Sequence, residues 1–154
     1  MTAQIKDPFI WNNEKWEFCG ATDIYDLFDP ETFGLHPTMH STACYKGFVI
    51  TFRVKNQLLT IDQLEVYCED GNYPPINDVE PEALSNYGMH SYHSLNIECK
   101  HYSGTITIGR DINEFGLHSA YTRPYLYETT RELVFVEGML VKERDTSGQY
   151  SMFD

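Results

Sequence analysis

The alternation of apolar and polar positions predicts a strand most clearly between residues 48 and 54. Apolar residues recur there with a period of two, which is typical of a strand with one buried face. The polar segment 55–57 then predicts a turn, and the apolar run 58–61 predicts a returning strand. The apolar phase shifts after this run, and we expect a β-bulge near residues 62–63 to absorb the shift.

Shorter stretches repeat the strand–turn–strand pattern. Residues 133–136 and 139–141 flank Glu137-Gly138, and residues 9–11 and 16–18 flank a short polar loop. Each arrangement predicts a β-hairpin, because turn-forming residues separate two runs of strand-forming residues. Further alternating strands are predicted at residues 95–99 and 105–108.

Helical patterns are few and short. Residues 23–28 place apolar and acidic side chains on opposite helical faces, with Thr22 as a candidate N-cap, and residues 81–87 run from a proline to a glycine at 88. We therefore expect a mainly β (α+β) fold: an antiparallel sandwich or open barrel built from hairpins, with one or two short helices. Residues 5–146 are expected to form a single globular domain, followed by a frayed C-terminal tail at 147–154.

Composition is consistent with an ordered domain. The chain has 154 residues, of which 42% are hydrophobic and 14% aromatic, and disordered chains are poor in aromatic residues. The four cysteines lie beside apolar or aromatic residues and form no Cys-x-x-Cys pair, so we expect them to be reduced and structural. Met1–Lys6 shows no secretory pattern and no apolar run is long enough to span a bilayer, which predicts a cytoplasmic protein.

The charge balance argues against several partners. The chain contains 11 Lys and Arg residues and 23 Asp and Glu residues, which gives a formal net charge of −12. No two Lys or Arg residues are adjacent. Binding to nucleic acid or to an anionic membrane normally requires a cluster of basic residues, so the sequence disfavours both. An acidic chain instead attracts a cationic partner, and we expect another protein with a basic surface.

Two groups of residues are candidates for binding such a partner. The acidic group is concentrated between positions 23 and 31, without the ligand spacing of a calcium loop, and consists of Asp23, Asp26, Asp29 and Glu31. The aromatic group is suggested by the preference of tyrosine for interfaces, and consists of Tyr87, Tyr92, Tyr121 and Tyr125.

Histidines are the residues of this chain best suited to bind a metal, but they are weak candidates for a metal site. His36 and His40 form an i, i+4 pair and His90 and His93 an i, i+3 pair, but neither pair matches a standard zinc spacing. Pro37 disfavours a helix at the first pair, and no carboxylate adjoins the second. Solvent-facing loop histidines are the preferred interpretation, and no cofactor is predicted.

Three functional hypotheses follow from these residues. The first is a non-catalytic acidic interaction module, such as an inhibitor or immunity-type protein for a basic partner, for example a nuclease. The second is a β-barrel that binds a small ligand or a carbohydrate through tyrosine-rich loops. The third is a metal-assisted hydrolase built on the histidine pairs. The sequence contains no nucleophile elbow and no phosphate-binding glycine loop, so it favours the first hypothesis.

Overall fold

The computed structural model describes residues 4–84, 88–117 and 123–151, and most regular structure in it is β-strand. The predicted mainly β fold is confirmed. The strands are β1 (Pro8–Trp11), β2 (Glu14–Ala21), β3 (Phe48–Lys55), β4 (Leu58–Val66), β5 (Glu82–Ala83), β6 (His90–Tyr92), β7 (Ile97–Glu98), β8 (Gly104–Ile112), β9 (Tyr127–Val136) and β10 (Met139–Asp145). The helices are α1 (Ile24–Leu27), α2 (Glu114–Leu117) and two 3₁₀ helices, at Pro30–Phe33 and Pro124–Leu126.

These strands belong to one mixed sheet. Its order is β10-β9-β8-β2-β1-β3-β4-β6-β5, and β7 also pairs with β4. The described strand pairs are antiparallel except for β1 and β3, which run parallel. The parallel pair joins the first hairpin to the second, because the long connection between β2 and β3 brings the chain back in the direction of β1.

The two arms of the sheet meet again at a short seam. Met139 of β10 pairs with Leu58 of β4. Beside this pair, the Leu59 amide donates to the Gly138 carbonyl at 2.8 Å. The Leu140 amide likewise donates to the Gln57 carbonyl at 2.7 Å. The sheet path from β4 through β3, β1, β2, β8 and β9 to β10 therefore closes into a barrel-like ring. Of the two architectures expected from the sequence, a sandwich or an open barrel, this ring is closer to the barrel.

The β3–β4 hairpin contains the bulge that the sequence predicts. Thr51 pairs with Gln63 and Phe52 pairs with Ile61, so Asp62 is the extra residue between them. The hairpins predicted at residues 9–18 and 133–141 are confirmed as well. The predicted four-residue loop at 12–15 is wrong, because Glu14 and Lys15 pair with Trp11 and Ile10 and leave a two-residue turn. In each of the three hairpins a two-residue turn connects the two strands, and both turn residues have a positive φ. This is the conformation of a type I′ turn, whose twist matches that of the flanking strands.

The helix predictions are only partly correct. Helix α1 lies within the predicted 23–28 segment, although Asp23 rather than Thr22 precedes it, in a left-handed conformation. The predicted helix at 81–87 is wrong at Glu82–Ala83, which form β5 and pair with His90 and Ser91 of β6. Pairing with the edge of β6 gives the backbone N–H and C=O groups of this segment hydrogen-bond partners. A seven-residue helix would be only marginally stable in water, so the strand is favoured.

The core lies inside the ring and extends under the segment between β2 and β3. Phe9, Phe52 and Phe135 come from three different strands and are almost completely buried. Leu27 and Leu35, from the β2–β3 connection, pack into the same cluster. This packing holds the connection, which contains α1 and the first 3₁₀ helix, against the sheet.

The start of the predicted tail at 147–154 makes specific contacts with β9. The Ser147 hydroxyl accepts a hydrogen bond from the Thr130 amide at 3.0 Å, and the Tyr150 hydroxyl donates to Glu132 Oε1 at 2.7 Å. The Tyr150 hydrogen bond, together with nearby Arg144, lowers the pKa of the Glu132 carboxyl below its usual range. Residues 152–154 lie outside the described residues.

Candidate functional site

The predicted acidic residues lie on the connection that leaves β2. Asp23 precedes α1 and Asp26 lies within it, and Asp29 and Glu31 lie on either side of Pro30 at the start of the 3₁₀ helix. Asp29 Oδ1 accepts a hydrogen bond from the Glu31 amide at 3.0 Å and so caps this helix, with Pro30 at its first position. The four carboxylate residues are exposed.

A groove separates this connection from β4 and β7. We call it the acidic groove; its volume is about 450 Å³. It is lined by Tyr25, Asp26, Leu27, Phe28, Asp29, Thr32, Phe33, Ile61, Ile97, Glu98, Cys99 and His101. The structure therefore brings two of the predicted carboxylates, Asp26 and Asp29, together with a third, Glu98, that is distant in sequence.

The charge of the groove is negative. The described residues that line it include three carboxylates and neither a lysine nor an arginine. Lys100 lies at its edge, where Nζ contacts Glu98 Oε2 at 2.8 Å. His101 also lines the groove. A cationic group entering the groove therefore meets Asp26 and Asp29 with no competing lysine or arginine in the lining.

Aromatic packing gives the groove a firm apolar floor. The Phe28 ring stacks on Phe33 at 5.9 Å between centroids and contacts Phe48 of β3 at 5.5 Å. At the start of α1, the buried Tyr102 hydroxyl donates to the Thr22 carbonyl at 2.7 Å. Because both ends of this short segment are fixed to the sheet, the position of its carboxylates is defined by the core rather than by helix stability.

Tyr25 is the aromatic residue that the sequence analysis missed. Its side chain is 90% exposed and borders the acidic groove next to Asp26. The sequence contained a signal for it, because position 25 lies outside the apolar face formed by Ile24, Leu27 and Phe28 in the helical pattern. An exposed tyrosine beside carboxylates offers a rigid apolar contact with a polar tip.

The predicted tyrosine group is not assembled into a binding surface by the described residues. Tyr92 is fully buried, and its hydroxyl donates to the Pro74 carbonyl at 2.6 Å. Burial raises the pKa of Tyr92 to about 12. The prediction of a surface role for Tyr92 is therefore wrong, because the side chain is part of the core. Tyr125 is half-buried against Leu126 and Tyr127, and Tyr87 and Tyr121 lie outside the described residues.

The predicted histidine pairs also do not form a metal centre in the described structure. His36 is exposed, and His40 makes an edge contact with the Tyr67 ring at 5.3 Å. His90 stacks on the Tyr73 ring at 3.6 Å, and His93 is exposed. Over residues 4–84, 88–117 and 123–151, no group of three or more His, Cys, Asp or Glu residues is arranged to hold a metal ion.

A serine, a histidine and a glutamate do approach one another at the edge of the sheet. Ser91 Oγ lies 3.1 Å from His93 Nε2, and Glu82 Oε2 lies 3.9 Å from the same nitrogen. A catalytic triad requires the serine and the carboxylate to contact opposite nitrogens of the imidazole. Ser91 is also fully buried. The three residues therefore do not have the geometry of a nucleophilic site.

Comparisons with protein-family models, with curated proteins and with solved structures gave no match. In the described part of the chain, no helix combines the length and the apolar character needed to cross a membrane.

Proposed function

We propose that this protein is a non-catalytic interaction module that binds a basic protein through the acidic groove. The observation that carries the proposal is the convergence of Asp26, Asp29 and Glu98 on one groove with an apolar floor. A lysine or arginine of the partner would pair with the carboxylates, and its aliphatic stem would lie against the floor. The net charge of −12 would draw a cationic partner toward the protein before contact.

Tyr25 supplies the anchor of the proposed interface. Interface energy is concentrated in a few residues, among which tyrosine and arginine are enriched. Tyr25 presents almost its whole side chain to solvent, beside the carboxylates. A partner arginine placed between Tyr25 and Asp26 would contact a ring face and a carboxylate together.

An inhibitor or immunity-type role is the form of this function that charge complementarity favours. Proteins that act on nucleic acids carry clustered basic residues at their phosphate-binding surfaces. An acidic module that covers such a surface would compete with the nucleic acid for the same lysines and arginines. A basic nuclease is therefore the partner class that we propose.

The two alternative functions have less support in the described residues. The tyrosine-loop ligand site depends on four tyrosines, of which Tyr92 is in the core and Tyr125 is half-buried. The metal-assisted hydrolase depends on histidines that make separate contacts in the described structure. Neither arrangement provides a convergent set of groups comparable with the acidic groove.

The proposal is tested with a fluorescent peptide that carries lysine and arginine, titrated with the protein at low salt. Asp26→Asn combined with Asp29→Asn removes two charges from the groove, while asparagine preserves the helix cap at position 29. We expect the dissociation constant to rise about tenfold for this double variant, since each exposed charge contact contributes up to about 1 kcal/mol. For Tyr25→Ala we expect a rise of about thirtyfold, as for an interface anchor.

The matched control is Glu69→Gln combined with Glu128→Gln. Both glutamates are exposed and lie outside the groove lining, so this variant has the same net charge as the groove variant. We expect only a small loss of affinity. If the two double variants weaken binding equally, attraction is due to net charge alone and the groove is not the site.

A further inference from the structure

A second cavity lies beside the β-bulge and is separate from the acidic groove. We call it the polar cavity; its volume is about 770 Å³, within the range of small-molecule sites. The lining is predominantly polar, and its described residues include the imidazole of His93 but no Phe, Tyr or Trp side chain. Ile61 lines the acidic groove, whereas the next residue, Asp62, lines the polar cavity. The two sites share no residue.

The bulge fixes an arginine at the wall of the polar cavity. Arg53 Nε donates a hydrogen bond to Asp62 Oδ2, and Thr60 Oγ1 contacts Asp62 Oδ1 at 3.3 Å. The same hydroxyl donates to the Arg53 carbonyl at 3.1 Å. About 39% of the Arg53 side chain remains exposed. The guanidinium is therefore held by one nitrogen, and its planar fork has two further nitrogens with which to bind an anion.

The charge of the polar cavity is opposite to that of the molecule. Arg53 and Lys55 are the cations of its described lining, and Asp62 is the carboxylate. Two positive charges and one negative charge give a local balance of +1, in a chain whose net charge is −12. Because the Asp62 carboxylate is already paired with Arg53, an anion entering the cavity would meet Lys55 and the remaining guanidinium donors.

Four amide side chains also line the polar cavity, three of them on turns. Asn13, Asn56 and Asn96 have φ values of 61°, 51° and 48°, and Gln63 lies on the bulged strand. A left-handed backbone is adopted readily by asparagine in tight turns, so these positions are well defined. Each amide offers donors and an acceptor, which is the combination that binds hydroxyl groups. No Phe, Tyr or Trp ring is among the described lining residues to stack on a nucleobase.

We propose that the polar cavity binds a small phosphorylated sugar or polyol. The phosphate would be held by Arg53 and Lys55, and the hydroxyl groups by the amides of the surrounding turns and by Gln63. This binding is independent of the basic partner proposed for the acidic groove, because no residue is common to the two sites. The proposal assigns recognition alone to the cavity and includes no chemical step.

The test is calorimetric titration of the full chain with three phosphorylated probes: glucose 6-phosphate, ribose 5-phosphate and glycerol 3-phosphate. Glucose, ribose, glycerol and inorganic phosphate are the matched comparisons. We expect at least one phosphorylated probe to bind about tenfold more tightly than inorganic phosphate and than its unphosphorylated counterpart. Absence of binding by all three probes, or equal binding of inorganic phosphate, would overturn the proposal.

Variants locate the binding within the molecule. Arg53→Lys keeps a positive charge but removes the guanidinium fork, and we expect about tenfold weaker binding. Lys55→Gln is expected to weaken binding about threefold, as for an exposed charge. Lys142→Gln removes an exposed lysine of β10 and is expected to have no effect. Equal affinities for Lys55→Gln and Lys142→Gln would place the site elsewhere.

A measurement on the unmodified chain keeps the test valid if Arg53→Lys fails to fold. Amide chemical shifts are recorded during titration with the tightest phosphorylated probe. We expect the largest changes at residues 51–56, 62–63 and 93–96, which surround the polar cavity. Changes confined to other segments would overturn the assignment of the site.

Discussion

Burial sets the reactivity of the cysteine side chains in this protein. Cys19, Cys44, Cys68 and Cys99 are all buried and free. Burial raises the pKa of the Cys19 and Cys99 thiols to about 12. The thiolate is the reactive form of cysteine, so these two side chains are chemically inert in the folded state. This agrees with the structural role that their apolar sequence neighbours predict.

The raised thiol pKa values predict a loss of stability in alkali. Below pH 9 both folded and unfolded chains carry neutral thiols, and Cys19 and Cys99 add no pH dependence. Between about pH 9 and 12 only the unfolded chain loses these protons, so the free energy of unfolding falls as pH rises. Urea unfolding at a series of pH values measures this fall. We expect the free energy of unfolding of the Cys19→Ala, Cys99→Ala double variant to depend less steeply on pH. An unchanged slope in that variant would contradict the assignment.

Residue identity alone predicts only part of the acidic groove. The exposed carboxylates Asp26 and Asp29 could be predicted, because acidic residues are seldom buried without a partner. Glu98 could not, since it reaches the groove only through the pairing of β7 with β4. Tyr92 shows the opposite error, because its burial depends on packing against the distant Pro74 segment.

At the scale of elements, the turn between β9 and β10 also forms the seam that closes the ring. Gly138 has a φ of 81°, and its carbonyl accepts the hydrogen bond from Leu59 of β4. A Cβ atom at this position would lie 2.7 Å from the Cys99 carbonyl oxygen. The turn therefore requires glycine both for its backbone conformation and for its close approach to the chain after β7.

We predict that Gly138→Ala lowers the free energy of unfolding by about 1–3 kcal/mol, because it adds strain at positive φ and a clash with backbone. Gly148→Ala is the matched control, since Gly148 has a φ of 75° but no atom within 4 Å of the added Cβ. Urea denaturation of both variants separates the two contributions. Equal losses of stability would show that the contact with Cys99 is unimportant.

Elements that depend on the residues next to them in sequence could be predicted. Elements that depend on pairing with a strand distant in sequence could not. The bulge at Asp62 follows from a shift of apolar phase within one strand, and the hairpin turns follow from their short polar segments. The strand at Glu82–Ala83 follows from an available edge on β6, which the sequence near residue 82 does not reveal. Contact between β10 and β4 likewise depends on closure of the whole sheet.

At the scale of the whole molecule, one strand separates two surfaces of opposite charge. Consecutive residues of β4, Ile61 and Asp62, line the acidic groove and the polar cavity respectively. The net charge could be read from the sequence, but its uneven distribution could not. In our proposals a basic protein binds the groove, where carboxylates predominate, and a small anion binds the cavity, where cations predominate.

The most direct test of the account is the position at which a basic peptide binds. Amide chemical shifts of the isotopically labelled chain are followed during titration with the lysine- and arginine-bearing peptide, first at low salt and then at high salt. We expect the largest changes at residues 24–33 and 97–101, and we expect them to weaken as salt rises, because the contacts are charged and exposed. Changes spread evenly over the acidic surface, or concentrated away from the groove, would contradict the account.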